Sequence, residues 1–406
     1  MTTASLPALR LLAAAPHRLL FGIGAANVLL AMLWWVIWLI AMRWGRFSLP
    51  QPPVPAGWMH AIIMQYQVLP SFIFGFLLTV FPRWLSLPTL TPKHYVPVGV
   101  GLLGGQLLTL AGLSGSLGLL QAGAILTSIG WSVGLLWLMR LLVRQKGFDW
   151  HPISAAFAVG LGLFGLVLYV IFLFRFDARL AFAAIKIGGT AMLLPIFFTV
   201  CHRMIPFFSS MVIPDYRIVR PMWTLWLFWP LVLTHVWLEL GHGYAWLWLT
   251  DVPLAGLSAA LLGAWLPRTT KMPALLLVLF VGLAWLPLAF LLYAGQSVWF
   301  AATGEFVLGR APAHALYIGY FGSLLVAMVT RVTQGHSGRP LVLGRVAAFA
   351  FVVVQITAVL RILAEIVTDA AAWQTIAGLC WLLAFLPWVV RSGWIYLTPR
   401  VDGKPG

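Results

Sequence analysis

Polar residues interrupt this chain at short intervals and leave long apolar runs between them. Twelve runs stand out, at 18–42, 57–82, 95–114, 117–143, 152–174, 180–203, 222–240, 244–266, 273–296, 311–331, 341–364 and 370–396. Each is long enough to cross the roughly 30 Å hydrocarbon core of a bilayer as an α-helix. A transmembrane β-barrel would show short alternating strands instead. The pattern therefore predicts an all-α polytopic membrane protein of about twelve spans. It forms one transmembrane domain over 1–406, with short loops and no soluble domain. No small-residue cleavage site follows a short apolar region at the start, so the first run reads as a retained helix.

Composition agrees. Of the 406 residues, 62% are hydrophobic and only 8% charged, more apolar than a soluble globule can cover with polar groups. The formal charge of +16 at first suggests nucleic acid. The basic residues argue against it, because they sit singly or in threes between apolar runs and form no patch with aromatics. With the N-terminus inside, 18 of the 25 Lys and Arg, Lys146 and Lys404 among them, fall on the inner side and six on the outer. The remaining one, Lys186, lies inside a span and is counted on neither side. This bias places both termini in the cytoplasm and makes the lipid bilayer the surroundings of the chain. Trp44, Trp58, Trp84 and Trp150 suit the membrane interfaces. Cys201 and Cys380 lie in separate runs with no CxxC, so a disulfide framework, a zinc ribbon and covalent c-type haem are unsupported.

The same topology sorts the nine histidines. His60, His235, His242 and His314 fall in one outer layer. His202, His336, His94, His17 and His151 fall at inner ends. His314 and His336 are separated by roughly 33 Å of helix and cannot share a metal. In GWMHAIIMQY, His60 and Met64 share a helical face, and imidazole with thioether suits haem iron or cuprous copper. In THVWLELGH, His235, Glu239 and His242 follow a helical spacing, so Glu239 is either an orienting carboxylate or a surface anchor. A histidine just inside an apolar span usually has a task, whereas one at a helix end can be merely interfacial. The candidate metal ligands are His60, His314, His235, His202 and His336, with Met64 beside them. Arg331 and Arg339 follow the positive-inside rule or hold an anion such as a haem propionate. Lys186, with no acidic neighbour in sequence, either snorkels or neutralises an anionic cofactor.

Three stretches carry a resemblance: HALYIGYFGSLLVAMVTRVTQGHSGRPL at 314–341, MHAIIM followed by GFLLTVFPRW at 75–84, and HRMIPFF at 202–208. In their order along the chain they resemble the NnrS family, and the twelve-run layout fits it across nearly the whole chain. The resemblance implies a multi-pass protein of the bacterial inner membrane. It implies haem, with copper as a second cofactor, and a role in the response to nitric oxide and nitrosative stress. It does not say whether the chain turns over a substrate. One departure bears on the cofactors. Where the family commonly reads H-A-H-E-M, this chain has Ile62 and Ile63 in place of the second His and the Glu, which puts one metal in doubt. His202 also stands where many relatives have Gly.

Two other readings compete. One is a transporter of a metal or small solute, for which Gly188, Gly189, Pro195 and Pro287 would mark broken helices. The other is a haem-handling or assembly partner of a respiratory or denitrification complex. No GxSxG or HExxH occurs, and nine carboxylates in the whole chain are few for acid–base chemistry or a proton relay.

Overall fold

A computed structural model describes residues 8–145, 147–269 and 271–403, and no strand occurs among them. Lys146 and Lys404, counted above on the inner side, lie outside the described residues. After a short helical turn at Ala8–Leu12 come α1 (Pro16–Trp44), α2 (Ala56–Trp84), α3 (Pro92–Gly112), α4 (Leu117–Val143), α5 (Trp150–Arg175) and α6 (Ala178–Ser210). Then follow α7 (Met222–Leu240), α8 (Trp248–Trp265), α9 (Ala274–Thr303), α10 (Ala311–His336), α11 (Arg345–Leu363) and α12 (Ala370–Tyr396). Every apolar run is a helix. The tenth extends to His336, five residues past the apolar run, so His314 and His336 lie on one helix.

Ten of these helices are long and apolar enough to cross a membrane. The two others are α7 and α8. Tryptophans, prolines and the ionisable His235, Glu239 and Asp251 dilute their hydropathy. Most helices pack on their chain neighbours, and α12 closes onto α1. The α3–α4 contact is the tightest by backbone. A Cβ on Gly101 would lie 2.5 Å from the Gly130 Cα, so only glycine permits this approach.

Burial identifies the centre of the bundle. The apolar windows of α2, α10 and α6 are 83%, 78% and 67% buried, more than those of the other spanning helices. Each of the three carries a π-helical segment: Met64–Val68, Ala315–Gly322 and Ile187–Leu193. A π turn loosens the α-helical ladder and leaves carbonyls for other donors. In α2, Trp131 Nε1 donates to the Tyr66 carbonyl at 3.0 Å, and Ser71 Oγ donates to the Gln67 carbonyl at 2.7 Å. Asn27, Gln67, Gln106, Thr109 and Thr127 continue this polar network across α1, α3 and α4. On α10, Gly319 serves packing, since it lies against the Trp285 indole of α9.

Candidate metal and proton-bearing sites

The π segments begin at the residues that the sequence singles out. Met64 is the first residue of one, and His314 and Lys186 immediately precede the other two. His314 Nδ1 lies 2.9 Å from the Arg310 carbonyl. A carbonyl only accepts, so Nδ1 carries the proton and Nε2 is bare, the tautomer that a metal-ligating imidazole needs. Arg310 is itself held, because its backbone N–H donates to Glu365 Oε2 at 3.1 Å. The other Glu365 oxygen receives Arg361 Nη1 at 2.5 Å. Thus the turn after α11 fixes the residue whose carbonyl fixes His314. Sequence reasoning counted Arg361 only as a loop charge and missed Glu365.

His60 stacks on Trp35 of α1, with ring centroids 4.5 Å apart and an interplanar angle of 11°, and makes no hydrogen bond. His314 lies within electrostatic range of His60, and both imidazoles are within range of Arg361. Thus α2 and α10 bring two half-buried imidazoles into one neighbourhood, with at least one bare ring nitrogen. Among the described residues, no group of three or more His, Cys, Asp or Glu side chains is arranged to hold a metal ion. Ile62 and Ile63 are buried in the core and add no donor. Two imidazoles are fewer protein donors than a bare ion needs. A cuprous ion would need Met64 as its third donor.

His235 belongs to a different group. Its Nδ1 is 2.7 Å from Asp251 Oδ1, in the first turn of α8, and its Nε2 is 3.5 Å from Glu239 Oε2. Glu239 Oε1 in turn meets Lys186 Nζ at 2.5 Å. Lys186, expected to stand without an acid, is thereby paired, and Glu239 is not a surface anchor but 3% exposed. Asp251 was not foreseen. It lies 16 residues beyond His235 across the α7–α8 turn, a separation with no helical spacing to reveal it.

The inner candidates divide between two places. His202 Nδ1 is 3.0 Å from His151 Nε2, and its Nε2 is 3.0 Å from Thr224 Oγ1. His151 leads on to Asp149, which also receives Arg203 Nη1 at 2.5 Å. Burial opposes ionisation of Asp149. The His151 ring and backbone and the Arg203 guanidinium outweigh it and hold the carboxyl well below the usual carboxylate range. His336 Nε2 accepts from Arg83 at 3.0 Å, and the ring lies 4.3 Å from that of His17. Arg331 covers the Phe208 ring at 4.1 Å and Arg339 the Trp394 ring at 5.2 Å, so the two do not form one clamp.

A helical bundle with several membrane-crossing helices and ionisable groups gathered inside it is an integral membrane protein whose chemistry lies within the bundle. The sequence profile of the NnrS protein family matches residues 11–400, and the chain belongs to that family. No curated protein matches the chain.

Proposed function

We propose that this chain is a twelve-span haem protein of the bacterial inner membrane, with both termini cytoplasmic, acting in the nitric oxide response. Family membership supports the physiological setting. The observation that carries the cofactor is the His314 imidazole, with Nδ1 tied to the Arg310 carbonyl, Nε2 left bare and His60 within electrostatic range. His314 and His60 hold the metal from α10 and α2. Met64 is a further soft donor, which keeps copper as the second candidate. Trp35 fixes the plane of the His60 ring. Bound there, the metal supplies a centre for taking up a diatomic nitrogen oxide or passing an electron. Arg361 lies within electrostatic range of both imidazoles, with its charge balanced by Glu365.

An apolar cavity of about 60 Å³ lies between α1, α2, α6 and α10, lined by Phe21, Phe72, Phe197, Leu324 and Met328. It accepts a small apolar gas and is far too small for a porphyrin. The inner-face histidines are assigned to hydrogen bonding, and His235 to its carboxylates. A respiratory or denitrification complex is the partner class that this role calls for.

The test is an optical spectrum of the detergent-purified protein, oxidised and reduced, with metal analysis of the same sample. The expected result is a Soret band that shifts with nitric oxide. His60→Ala and His314→Ala should each lower cofactor content far more than His336→Ala. Equal losses in all three, or no Soret band from haem-supplied cells, would refute the assignment.

A further inference from the structure

We propose that the end of the bundle where α1 begins and α2, α10 and α12 finish holds a phosphate group, carried by an anionic phospholipid or free. Arg18, Arg83, Arg339 and Arg400 build the site around the His17 and His336 imidazoles. The proposal needs no metal and stands or falls separately from the cofactor reading. His17 lies within electrostatic range of Arg18, Arg83, Arg400 and His336, and Arg18 within range of Arg339. The His17 and His336 rings are 4.3 Å apart. Segments far apart in the sequence thus bring their cations to one place.

The surrounding chain holds this place together. The turn that follows α10, GHSGR at 335–339, is tied to the segment after α12. The Val401 N–H donates to the Ser337 carbonyl at 3.1 Å, and Arg400 Nη1 donates to the His336 carbonyl at 2.9 Å. Arg18 Nη1 donates to the Tyr396 and Thr398 carbonyls at 3.2 and 3.0 Å. Arg83 Nη1 lies 3.0 Å from His336 Nε2. Arg18 and His17 are 3% and 5% exposed, whereas Arg83 is exposed and Arg339 and Arg400 are half-buried. The cluster is therefore open at Arg83 and closed at Arg18.

Helix capping and the positive-inside rule explain part of this arrangement, since Arg18 and Arg400 cap the ends of α12 and α10. They do not balance the charge. Among the described residues, the carboxylate bonded to these arginines is Asp402, which takes Arg400 Nε and Nη2 at 2.9 and 2.6 Å. The C-termini of α2, α10 and α12 add roughly half a negative charge each. Against four guanidiniums, an excess of about one and a half positive charges remains. Donors are also left over. An arginine only donates, so His336 Nε2 accepts from Arg83 and the ring proton sits on Nδ1. His336 Nδ1 and Arg339 Nη1 are buried with no acceptor, and His17 Nδ1 is buried without a partner. Native structures rarely leave such atoms unmatched, because each forfeits its bonds to water.

The group that completes the site must accept hydrogen bonds, carry negative charge and lie at the ends of membrane-crossing helices. A phosphodiester meets all three conditions. Its free oxygens only accept, and guanidinium forks match them bidentately. Lipid phosphates lie level with such helix ends, and basic pockets between helices take anionic head groups there. The exposed Trp394 ring, 5.2 Å from the Arg339 guanidinium, offers an apolar surface for an acyl chain beside the phosphate. A cation would be repelled by the same arginines.

The test uses the full-length protein, delipidated in detergent, with phosphatidylglycerol, phosphatidylcholine or inorganic phosphate added. Binding is read by native mass spectrometry and by the shift of the thermal melt. Phosphatidylglycerol should bind in preference to phosphatidylcholine. Arg83→Gln and Arg339→Gln should each weaken that binding about fivefold, the effect of one basic residue near an anionic lipid surface, and the double variant about twenty-five-fold. Arg144→Gln, at the exposed end of α4, should leave it unchanged. A melt raised by inorganic phosphate in the wild type but not in the double variant assigns the site to free phosphate. A response to phosphatidylglycerol alone assigns it to lipid. No preference for phosphatidylglycerol together with no response to phosphate, or an equal loss in Arg144→Gln, would overturn the proposal. If a variant does not fold, the wild-type comparison of the three probes decides alone.

Discussion

Glu239→Gln removes one of two negative charges from a buried group that also holds a lysine. The Lys186 ammonium loses its partner at 2.5 Å, and His235 loses the carboxylate facing Nε2. Two unit charges at 4 Å interact by about 4 kcal/mol at the effective dielectric of a protein interior near 20. Removing one partner of a buried pair costs roughly 3–5 kcal/mol. Lys186 is 27% exposed and recovers some solvation, so the low end applies, about 3 kcal/mol. Lys186→Met strands the carboxylate instead. The double variant removes both charges at nearly conserved volume, so it should be more stable than the sum of the single losses by roughly 2 kcal/mol. The assay is a four-way cycle of denaturant midpoints in one detergent, followed by tryptophan fluorescence. A coupling below about 0.5 kcal/mol, the spread expected of independent sites, would refute the buried pair.

Three further outcomes are expected. Glu365→Gln should leave the fold intact but lower cofactor affinity about 10–100-fold, the usual effect of loosening a group that orients a ligand. It is read by haem titration against wild type, and wild-type affinity would show that Arg310 is held without Glu365. Gly189→Ala places a methyl against the Tyr317 phenol and should cost about 1–3 kcal/mol by overpacking. Tyr317→Phe in the same chain should restore part of that loss in a thermal melt. Asp149 has a lowered folded-state pKa, so its contribution to stability is fully present above the ordinary carboxylate pKa. That contribution is lost as pH falls through the folded value. Asp149→Asn should therefore flatten the acid limb of a stability-against-pH curve, and an unchanged limb would show that another group governs it.

The helices were legible because lipid demands length and apolarity, which a sequence displays directly. The run 222–240 coincides with α7. That His60, His235 and His314 lie on these helices was legible for the same reason, since a polar residue in such a run stands out. Their partners were not. Lys186 and Glu239 are 53 residues apart, and His314 depends on Glu365 through a backbone carbonyl that has no sequence mark. Nine carboxylates in the chain gave no sign that two of them meet one histidine, because a count ignores placement. The dilution of hydropathy in α7 and α8 was the available signal.

The three π segments account for the polar seam at the centre of the bundle. Each widens a central helix by one turn at a candidate residue, at the expense of its own ladder. In α2 that expense is met by donors from neighbouring helices, Trp131 of α4 above all. Such an arrangement is retained where side chains must be re-aimed. The result is a seam in which Gln65 of α2 donates to the Tyr317 hydroxyl of α10 at 3.2 Å, while Gly189 of α6 leaves room for that same phenol. Tyr317 thus touches all three π segments. The His314 ring lies 6.5 Å from that of Tyr317, and Glu239 is within electrostatic range of the phenol. Leucine would fill the same volume without loosening three helical ladders, so the polar seam where α2, α6 and α10 meet points to a use for this phenol.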